Sequence, residues 1–321
     1  MADKDQDIIL TSFFDSSYLN RAISLIQSVE LQTKRKVVWK LLALDEITFS
    51  FLMNNKEKNW DVLKIEDLRD PEVLQLKADR PYREFCWSLS AILLDYILSI
   101  SKSQNLVAYV DSDCYFFSDI GLLFDTLQQE KDFFIHEHNF PRNKEYLISR
   151  SGKFNVGVIG GRVSKQFKQC IQFWRAQVVE KCIIDLENGF CGDQTYLDKW
   201  PEKYDRLRIL KSNGIGAGPW NINNKNLEFH GKDILVNKDI LVFYHFHAFK
   251  YTTIFDRLYI FQPAINYRIQ RKPLKFIYYP YIKQLNKVSN ITSIIYKEIS
   301  LQKNYFSLLR NLPHFFWSDG K

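Results

Sequence analysis

Two aspartates, Asp111 and Asp113, directly follow an apolar run at residues 106–110 and are the first candidates for chemistry in the sequence. The run, LVAYV, is short and unbroken, which is typical of a strand buried on both faces in an α/β protein. Side chains two positions apart on an extended chain point the same way, so both carboxylates are expected at the carboxyl edge of the sheet, where ligands bind. A shared proton, a basic side chain or a hard cation would relieve their repulsion. Two solvated aspartates in a turn are the alternative.

Two histidines, His245 and His247, end the apolar segment LVFYHFH and have the same i, i+2 spacing as the aspartates. A single histidine near a strand end is more often a structural hydrogen-bonding group. Together with Asp111 and Asp113, however, one histidine would complete a set of two oxygens and one nitrogen. Such a set suits Mn²⁺ or Mg²⁺ and leaves coordination positions open for phosphate oxygens or water.

Two further features could contact an anion held at such a site. Lys250 lies five residues after His245, although an ordinary surface lysine is the alternative. The glycine-rich loop GIGAGPWN contains Gly216 and Gly218, where the lack of a side chain would let backbone amides approach a phosphate. The loop lacks the Gly-Lys-Ser/Thr of a P-loop, so the sequence gives no support for ATP hydrolysis.

The positive charge of the chain is concentrated in its last segment. Residues 266–321 contain ten Lys and Arg against two acids, a sum of +8, so residues 1–265 carry about −1 of the total of +7. The five cysteines show no CxxC spacing, which fits reduced thiols in a cytosolic protein better than a disulfide framework or a zinc site. The first residues, MADKDQD, do not form a signal peptide, and no apolar stretch is long enough to span a bilayer. We therefore expect a cytoplasmic protein.

Hydrophobic periodicity predicts alternating strands and helices over the first 265 residues. Strands are expected at residues 7–14, 37–45, 60–68, 106–110, 132–138, 153–162 and 240–250. Helices are expected at residues 17–31, 46–54, 82–100 and 164–182. This alternation predicts an α/β fold with one catalytic domain at residues 1–265, followed by an extension at residues 266–321.

Taken in order, four short motifs resemble the type A glycosyltransferase fold, and in particular glycosyltransferase family 8. They are VDSD at the end of an apolar strand, FNVGV, GDQ, and YHFH followed by a lysine, and with the first strand they span residues 7–250. The stretches EFCWSL, GPWN and FYHFH are also similar to bacterial sugar transferases of surface polysaccharide synthesis. The resemblance implies a single Rossmann-like nucleotide-diphospho-sugar transferase domain with a mixed central sheet.

The resemblance also implies roles for individual residues. Asp111 and Asp113, with Ser112 between them, would hold Mn²⁺ (or Mg²⁺) against the diphosphate of the donor, with His245 as the third ligand. Lys250 would contact the leaving diphosphate. The donor base and ribose would lie beside Thr11, Ser12 and Phe13, and the donor sugar and reacting carbon beside Asn155, Asp193 and Gln194.

The implied reaction moves a sugar from a nucleotide diphosphate, most simply a UDP-sugar, to a glycan or lipid-linked acceptor in lipopolysaccharide or capsule synthesis. An Asp-Gln at residues 193–194 favours retention of configuration, and Asp193 would be the base of an inverting reaction. Two departures from family 8 matter. The first strand ends in phenylalanines where an acid is common, and Ala248-Phe249 replaces a common Gly-Pro, so assigning His245 rather than His247 as the ligand is a choice.

The extension at residues 266–321 mixes basic and aromatic residues and is expected to be helical. It could bind an anionic membrane surface at the cytoplasmic face of the inner membrane, or pack on the catalytic domain with its lysines in water. Two rival functions remain. The pairs His136/His138 and His245/His247 could serve a metal-dependent hydrolase, and the basic extension could bind nucleic acid, although the neutral domain and the absence of a known motif argue against a nucleic-acid partner.

Overall fold

The computed structural model describes residues 6–127, 130–254, 257–261, 269–292 and 316–317. The strands are β1 (Ile8–Phe14), β2 (Val37–Ala43), β3 (Trp60–Lys64), β4 (Leu106–Val110), β5 (Cys114–Phe116), β6 (Phe133–Glu137), β7 (Phe154–Arg162), β8 (Ile184–Asp185), β9 (Phe190–Cys191), β10 (Leu207–Leu210), β11 (Leu227–His230), β12 (Asp233–Val236), β13 (Asp239–Ile240), β14 (Phe243–His245), β15 (Lys250–Ile254), β16 (Arg257–Phe261) and β17 (Phe316–Trp317).

The helices alternate with the strands in the first part of the chain, as predicted. The α-helices are α1 (Leu19–Gln32), α2 (Glu46–Asn54), α3 (Pro71–Asp79), α4 (Tyr82–Ile100), α5 (Gly121–Phe124), α6 (Ile148–Ser151), α7 (Lys165–Glu180), α8 (Trp200–Lys203), α9 (Arg271–Pro273) and α10 (Tyr279–Thr292). A π-helical segment at Leu274–Tyr278 joins α9 to α10, and 3₁₀ turns lie at Ile65–Leu68, Arg142–Leu147, Gly192–Lys199 and Ile222–Asn224.

A seven-stranded mixed sheet forms the centre of the protein, with the spatial order β10-β6-β7-β4-β1-β2-β3. Strand β1 is parallel to both β2 and β4, and β10 is parallel to β6, whereas β7 runs antiparallel to its neighbours β4 and β6. The predicted mixed central sheet of an α/β fold is therefore confirmed. Because β1 and β4 are parallel and paired in register, their carboxyl ends meet at the same edge.

Strand β4 is buried along its whole length because helices cover both faces of the sheet. Leu106, Ala108 and Val110 pack into a core with α1, while Val107 and Tyr109 pack into a second core with α4 and α7. A fully buried Val or Leu side chain contributes about 1.5–3 kcal/mol, so this strand is firmly held. The turn between β4 and β5 consequently starts from a fixed position.

The predicted core strand at residues 240–250 is wrong in its extent and its partners. The segment divides into β13, β14 and the start of β15, and β14 pairs antiparallel with β5 in a separate two-stranded sheet. The physical reason is a tight turn at residues 246–249, where the Phe249 amide donates to the Phe246 carbonyl at 2.9 Å. Ala248 has a φ of 54° in this turn, a left-handed conformation that ends any strand.

The described part of the C-terminal extension packs against α1. The Asn20 side chain donates to the Ser289 hydroxyl at 3.0 Å and accepts from the Thr292 hydroxyl at 2.6 Å. Tyr281 and Leu285 lie on the buried side of α10. Exposed basic side chains of this segment are Arg271, Lys272, Lys275, Lys283 and Lys287. The predicted boundary between residues 265 and 266 lies outside the described residues.

None of the helices in the described ranges is both long enough and apolar enough to cross a membrane.

Candidate active site

Asp111 and Asp113 lie at the carboxyl edge of the central sheet, in the turn that joins β4 to β5. The Asp111 amide donates to the Gly157 carbonyl of β7, and the Cys114 amide donates to the Asp111 carbonyl, both at 2.9 Å. The chain therefore forms a turn at this point, whereas the prediction from the spacing of the aspartates assumed an extended chain. The two carboxylates nevertheless converge on one imidazole, since His245 Nε2 lies 3.6 Å from Asp111 Oδ2 and 3.1 Å from Asp113 Oδ1.

Strand pairing brings His245 to the aspartates across about 130 residues of sequence. In the β14–β5 pair His245 lies opposite Cys114, and the following amide, that of Phe246, donates to the Asp113 carbonyl at 2.9 Å. The His245 amide donates to the Ala217 carbonyl at 3.0 Å, so the glycine-rich loop supports the other side of the strand. These contacts therefore fix the backbone of His245 beside the aspartate turn.

The three side chains are strongly coupled electrostatically. Burial opposes the charged form of His245, whose side chain is only 4% exposed, but the charges of Asp113 and Asp111 outweigh it and raise its pKa. Burial also opposes ionisation of Asp113, yet the facing His245 lowers its pKa to about 2. The pKa of Asp111 is raised, first by burial and then by the charge of Asp113. The two carboxylates thus favour the charged form of His245.

His247 also lies close to Asp113. Asp113, His245 and His247 each place a ligand atom within 4.8 Å of the others, and the two imidazole rings are nearly perpendicular. The tight turn at residues 246–249 aims His247 back toward the site. The structure therefore brings both histidines to Asp113 and only His245 to both aspartates, and the choice of His245 as the ligand stays a prediction.

The cluster fits a divalent cation. Among the described residues, the ligand atoms that lie within 4.8 Å of one another belong to Asp113, His245 and His247; Asp111 is not in this group, although its Oδ2 lies 3.6 Å from His245 Nε2. Carboxylate and imidazole groups are donors for Mn²⁺ or Mg²⁺, and the other nitrogen of His245 is already satisfied, since Nδ1 lies 3.0 Å from Asn155 Oδ1. Tyr109 adds a donor to Asp111, its hydroxyl lying 2.7 Å from Oδ1. Sequence reasoning missed Tyr109, although it shares the i, i+2 spacing that was used for the aspartates.

Asp193 and Gln194 lie beside the cluster but face different partners. Asp193 is buried and accepts a hydrogen bond from the Ser90 hydroxyl of α4. Burial raises the pKa of Asp193 to about 7, and the charge of Asp111 acts in the same direction. The Gln194 side chain donates to the Ser151 carbonyl at 2.7 Å and accepts from Asn155 Nδ2 at 3.3 Å.

The residues predicted to border the donor base lie at the same edge of the sheet, at the end of β1. The Thr11 hydroxyl donates to the Lys40 carbonyl at 2.7 Å, and Ser12 is buried. The ring of Phe13 stacks on Tyr109 with 5.9 Å between the ring centroids. The end of β1 therefore leads directly to Asp111 through Tyr109, and contacts with a base stay a prediction.

The predicted phosphate contacts are placed less directly. Lys250 begins β15 with an exposed side chain, and Ser112 is half-buried at the centre of the aspartate turn. The Gly218 amide donates to the Asn221 side chain at 3.2 Å, and Gly216 has a φ of 70°. A Cβ on Gly216 would lie 2.5 Å from the Glu137 carbonyl, so the structure uses this glycine for close packing. Phosphate binding by these residues stays a prediction.

The rival histidine pair is buried away from other ligands. His136 Nε2 lies 3.4 Å from the Val158 amide, and His138 Nε2 lies 3.2 Å from the Asn155 side chain. Burial lowers the pKa of each imidazole to about 3. Within the described ranges, the cluster of ligand atoms close enough to share a cation contains neither of them. The pair therefore gives the hydrolase hypothesis no second metal site.

Comparisons with known proteins are consistent with this fold. The sequence matches no protein-family model. It is 29% identical over 250 residues to the uncharacterized protein YfnD of Bacillus subtilis (strain 168), which covers 77% of this chain and 79% of that protein. It is 26% identical over 244 residues to YfnF of the same strain, covering 74% of this chain and 80% of YfnF.

Solved glycosyltransferase structures are similar to this chain in fold, although their sequences are only distantly similar. The galactosyltransferase LgtC, solved in complex with donor and acceptor sugar analogs, superimposes with a TM-score of 0.55 at 15% identity, covering 88% of this chain and 96% of LgtC. An active-site mutant of LgtC gives the same values. The seven-stranded mixed sheet and these superpositions agree with the prediction from the sequence, and the chain has the type A glycosyltransferase fold.

Proposed function

We propose that this protein is a glycosyltransferase that moves a sugar from a nucleotide diphosphate donor, most simply a UDP-sugar, to a glycan or lipid-linked acceptor. One observation carries the proposal. Two carboxylates and a buried imidazole converge at the carboxyl edge of the sheet in a fold shared with a galactosyltransferase. Open α/β sheets bind nucleotides at this edge.

In this proposal Asp111, Asp113 and His245 hold a divalent cation, Mn²⁺ or Mg²⁺. The bound cation supplies Lewis-acid stabilisation of the charge that develops on the leaving diphosphate. The facing carboxylates fix its position, and Tyr109 holds Asp111 in place through the 2.7 Å hydrogen bond. Lys250, exposed at the start of β15, is suited to bring a further positive charge to the leaving group.

We favour retention of configuration because Asp193 is poorly placed as a base. An inverting reaction needs an accessible carboxylate beside the acceptor hydroxyl. Asp193 is buried and already accepts a hydrogen bond from Ser90, so its carboxylate is not accessible to an acceptor hydroxyl. A retaining reaction needs no proton transfer by Asp193 and leaves Gln194 beside the donor sugar.

The biological setting of the proposal is lipopolysaccharide or capsule synthesis at the cytoplasmic face of the inner membrane. The similarity of EFCWSL, GPWN and FYHFH to bacterial sugar transferases supports it. So does the row of exposed basic side chains between residues 271 and 287, since anionic lipid attracts such a segment. Membership of glycosyltransferase family 8 belongs to the same proposal.

A donor screen tests the proposed function. The protein is incubated with a panel of nucleotide sugars and Mn²⁺, and slow hydrolysis of the donor is measured without an acceptor. We expect one or a few donors to be cleaved only when the cation is present, and cleavage to disappear in Asp113→Asn. Cation-independent cleavage, or binding of no nucleotide diphosphate at all, would contradict the proposal.

A further inference from the structure

Asn155 lies at the centre of a buried network that joins the candidate metal ligands to Gln194. Its Oδ1 lies 3.0 Å from His245 Nδ1 and accepts from the Gly157 amide at 3.0 Å. Its Nδ2 lies 3.2 Å from His138 Nε2 and 3.3 Å from Gln194 Oε1. Both polar atoms of the side chain are therefore engaged within the protein.

The hydrogen-bonding neighbours of the Asn155 side chain determine which of its two polar atoms is the oxygen and which is the nitrogen. The Gly157 amide can only donate, so the atom of Asn155 that faces it must be the oxygen. The Ser151 carbonyl can only accept, so it fixes the Gln194 nitrogen on its own side and leaves Gln194 Oε1 for Asn155. Oε1 in turn requires the Asn155 nitrogen. Two independent backbone groups thus demand the same orientation.

This orientation determines where the proton of His245 lies. Because Asn155 presents an oxygen to Nδ1, that nitrogen must carry a proton and donate it. When the ring is neutral, its lone pair is therefore on Nε2, the atom that faces Asp111 and Asp113. We propose that Asn155 is a positioning residue that holds His245 with its proton on Nδ1 and its Nε2 lone pair directed at the two aspartates.

The contact between Asn155 and His245 requires a glycine at position 157. Asn155 and Gly157 are two apart on β7 and share a face of the strand. A Cβ on Gly157 would lie 2.7 Å from both Asn155 Oδ1 and His245 Nδ1, closer than the atoms can approach. His138, buried and neutral, completes the network as the acceptor for Asn155 Nδ2. A larger residue at position 157 would separate Asn155 from His245.

The inference goes beyond the proposed function but bears on the same site, since a cation there would bind to Nε2. Metal-bound histidines commonly donate from their second nitrogen to a fixed oxygen, and losing that partner weakens metal affinity roughly tenfold to a hundredfold. Asn155 provides such an oxygen here. Its effect on the reaction would be exerted through His245.

Two readouts on the full chain test the proposal. The first is ¹⁵N-histidine NMR of the metal-free protein at alkaline pH, with the His245 signals assigned by their loss in His245→Gln. We expect the proton on Nδ1 in the wild type. The second is Mn²⁺ affinity by calorimetry, for which Asn155→Leu removes both hydrogen-bonding atoms at similar volume and Asn155→Asp keeps the acceptor oxygen.

We expect Asn155→Leu to bind Mn²⁺ roughly tenfold to a hundredfold more weakly than the wild type, and Asn155→Asp to retain most of the affinity. Gln194→Met is the matched control, because it removes the contacts of Gln194 with Asn155 Nδ2, Ser151 and Cys191 but leaves Asn155 Oδ1 held by the Gly157 amide, so Mn²⁺ affinity should be unchanged. A proton on Nε2 in the wild type, wild-type affinity in Asn155→Leu, or equal losses in the Leu and Asp variants would overturn the proposal.

The wild-type NMR result decides the tautomer even if Asn155→Leu does not fold. Neither readout uses a sugar donor, so failure of the donor screen would count against the proposed function alone. An Nε2 proton in a protein that does cleave donors would count against the positioning role alone.

Discussion

Replacing Asp113 with asparagine removes one negative charge from the ligand cluster and keeps the size of the side chain. The pKa of Asp113 is lowered from 3.8 to about 2 even though burial opposes its ionisation. This difference corresponds to about 2 kcal/mol of net stabilisation of the carboxylate after the cost of burial, with His245 the main favourable partner. A divalent cation would interact with the same carboxylate at least as strongly, so Asp113→Asn should weaken Mn²⁺ binding by about thirtyfold or more.

Calorimetric titration of Mn²⁺ into the wild type and the variant measures this loss. Asp132→Asn is the matched control, because Asp132 is also buried and paired with a cation, Arg206, but immediately precedes β6 and so lies at the opposite end of that strand from the site. The control should be less stable to heat and bind Mn²⁺ normally. Wild-type affinity in Asp113→Asn, or an equal loss in Asp132→Asn, would refute the reasoning.

The same substitution should change the titration of His245. In the wild type the charges of Asp113 and Asp111 raise the pKa of His245 above 6.5 against the effect of burial. Without the Asp113 charge, the unfavourable effect of burial on the charged imidazole is less compensated, so the pKa of His245 should fall. NMR titration of the metal-free protein measures both values. An unchanged titration would mean that Asp113 does not hold the charge on this imidazole.

Three further outcomes are expected. His245→Ala should behave like Asp113→Asn, whereas His247→Ala should keep most Mn²⁺ affinity in calorimetry, and the reverse order would make His247 the ligand. The raised pKa of His245 means that its charge stabilises the metal-free fold fully below pH 6.5 and less as pH rises through the folded value. Mn²⁺ affinity should increase over that same range, because the cation displaces the proton, and a flat calorimetric profile in the wild type would contradict this. The chain should co-sediment with anionic vesicles. The triple variant Lys275→Gln/Lys283→Gln/Lys287→Gln loses three basic charges at about 1 kcal/mol each, so it should bind such vesicles about a hundredfold more weakly. Equal sedimentation with neutral vesicles would exclude this role.

Local sequence patterns predicted the strands and helices whose buried residues follow a regular period. Strand β4 is an unbroken apolar run, and α4 begins and ends where the helical spacing at residues 82–100 predicts. The segment at residues 240–250 has an equally strong strand pattern, but it is interrupted by the turn at residues 246–249 and by contacts with distant parts of the chain. The Val242 amide donates to the Gly214 carbonyl and the Phe246 amide to the Asp113 carbonyl. These partners lie too far away in sequence for any periodicity to reveal them.

The candidate site was predictable as a set of residue types and not as a network. The i, i+2 spacing of the two aspartates and of the two histidines predicted them as site residues, because carboxylates and imidazoles are unusual after apolar strands. The contacts that orient them depend on shapes formed only in the fold. Asn155 was predicted to border the donor sugar, but its two polar atoms contact His245, His138 and Gln194, which come from three separate segments of the chain.

Strand β7 explains why motifs far apart in sequence act as one unit. The carbonyl of Gly157 accepts from the Asp111 amide and holds the aspartate turn, while its amide donates to Asn155 Oδ1. Asn155 in turn accepts from His245, so one peptide position sets the distance between the carboxylates and the imidazole. The strand is buried at this position, where its pairing to β4 ends at Val158 and the Asp111 amide binds the Gly157 carbonyl, and it pairs with β6 on either side of a register shift. The ligand cluster is therefore built on rigid backbone, and its geometry should exist before any cation or donor binds.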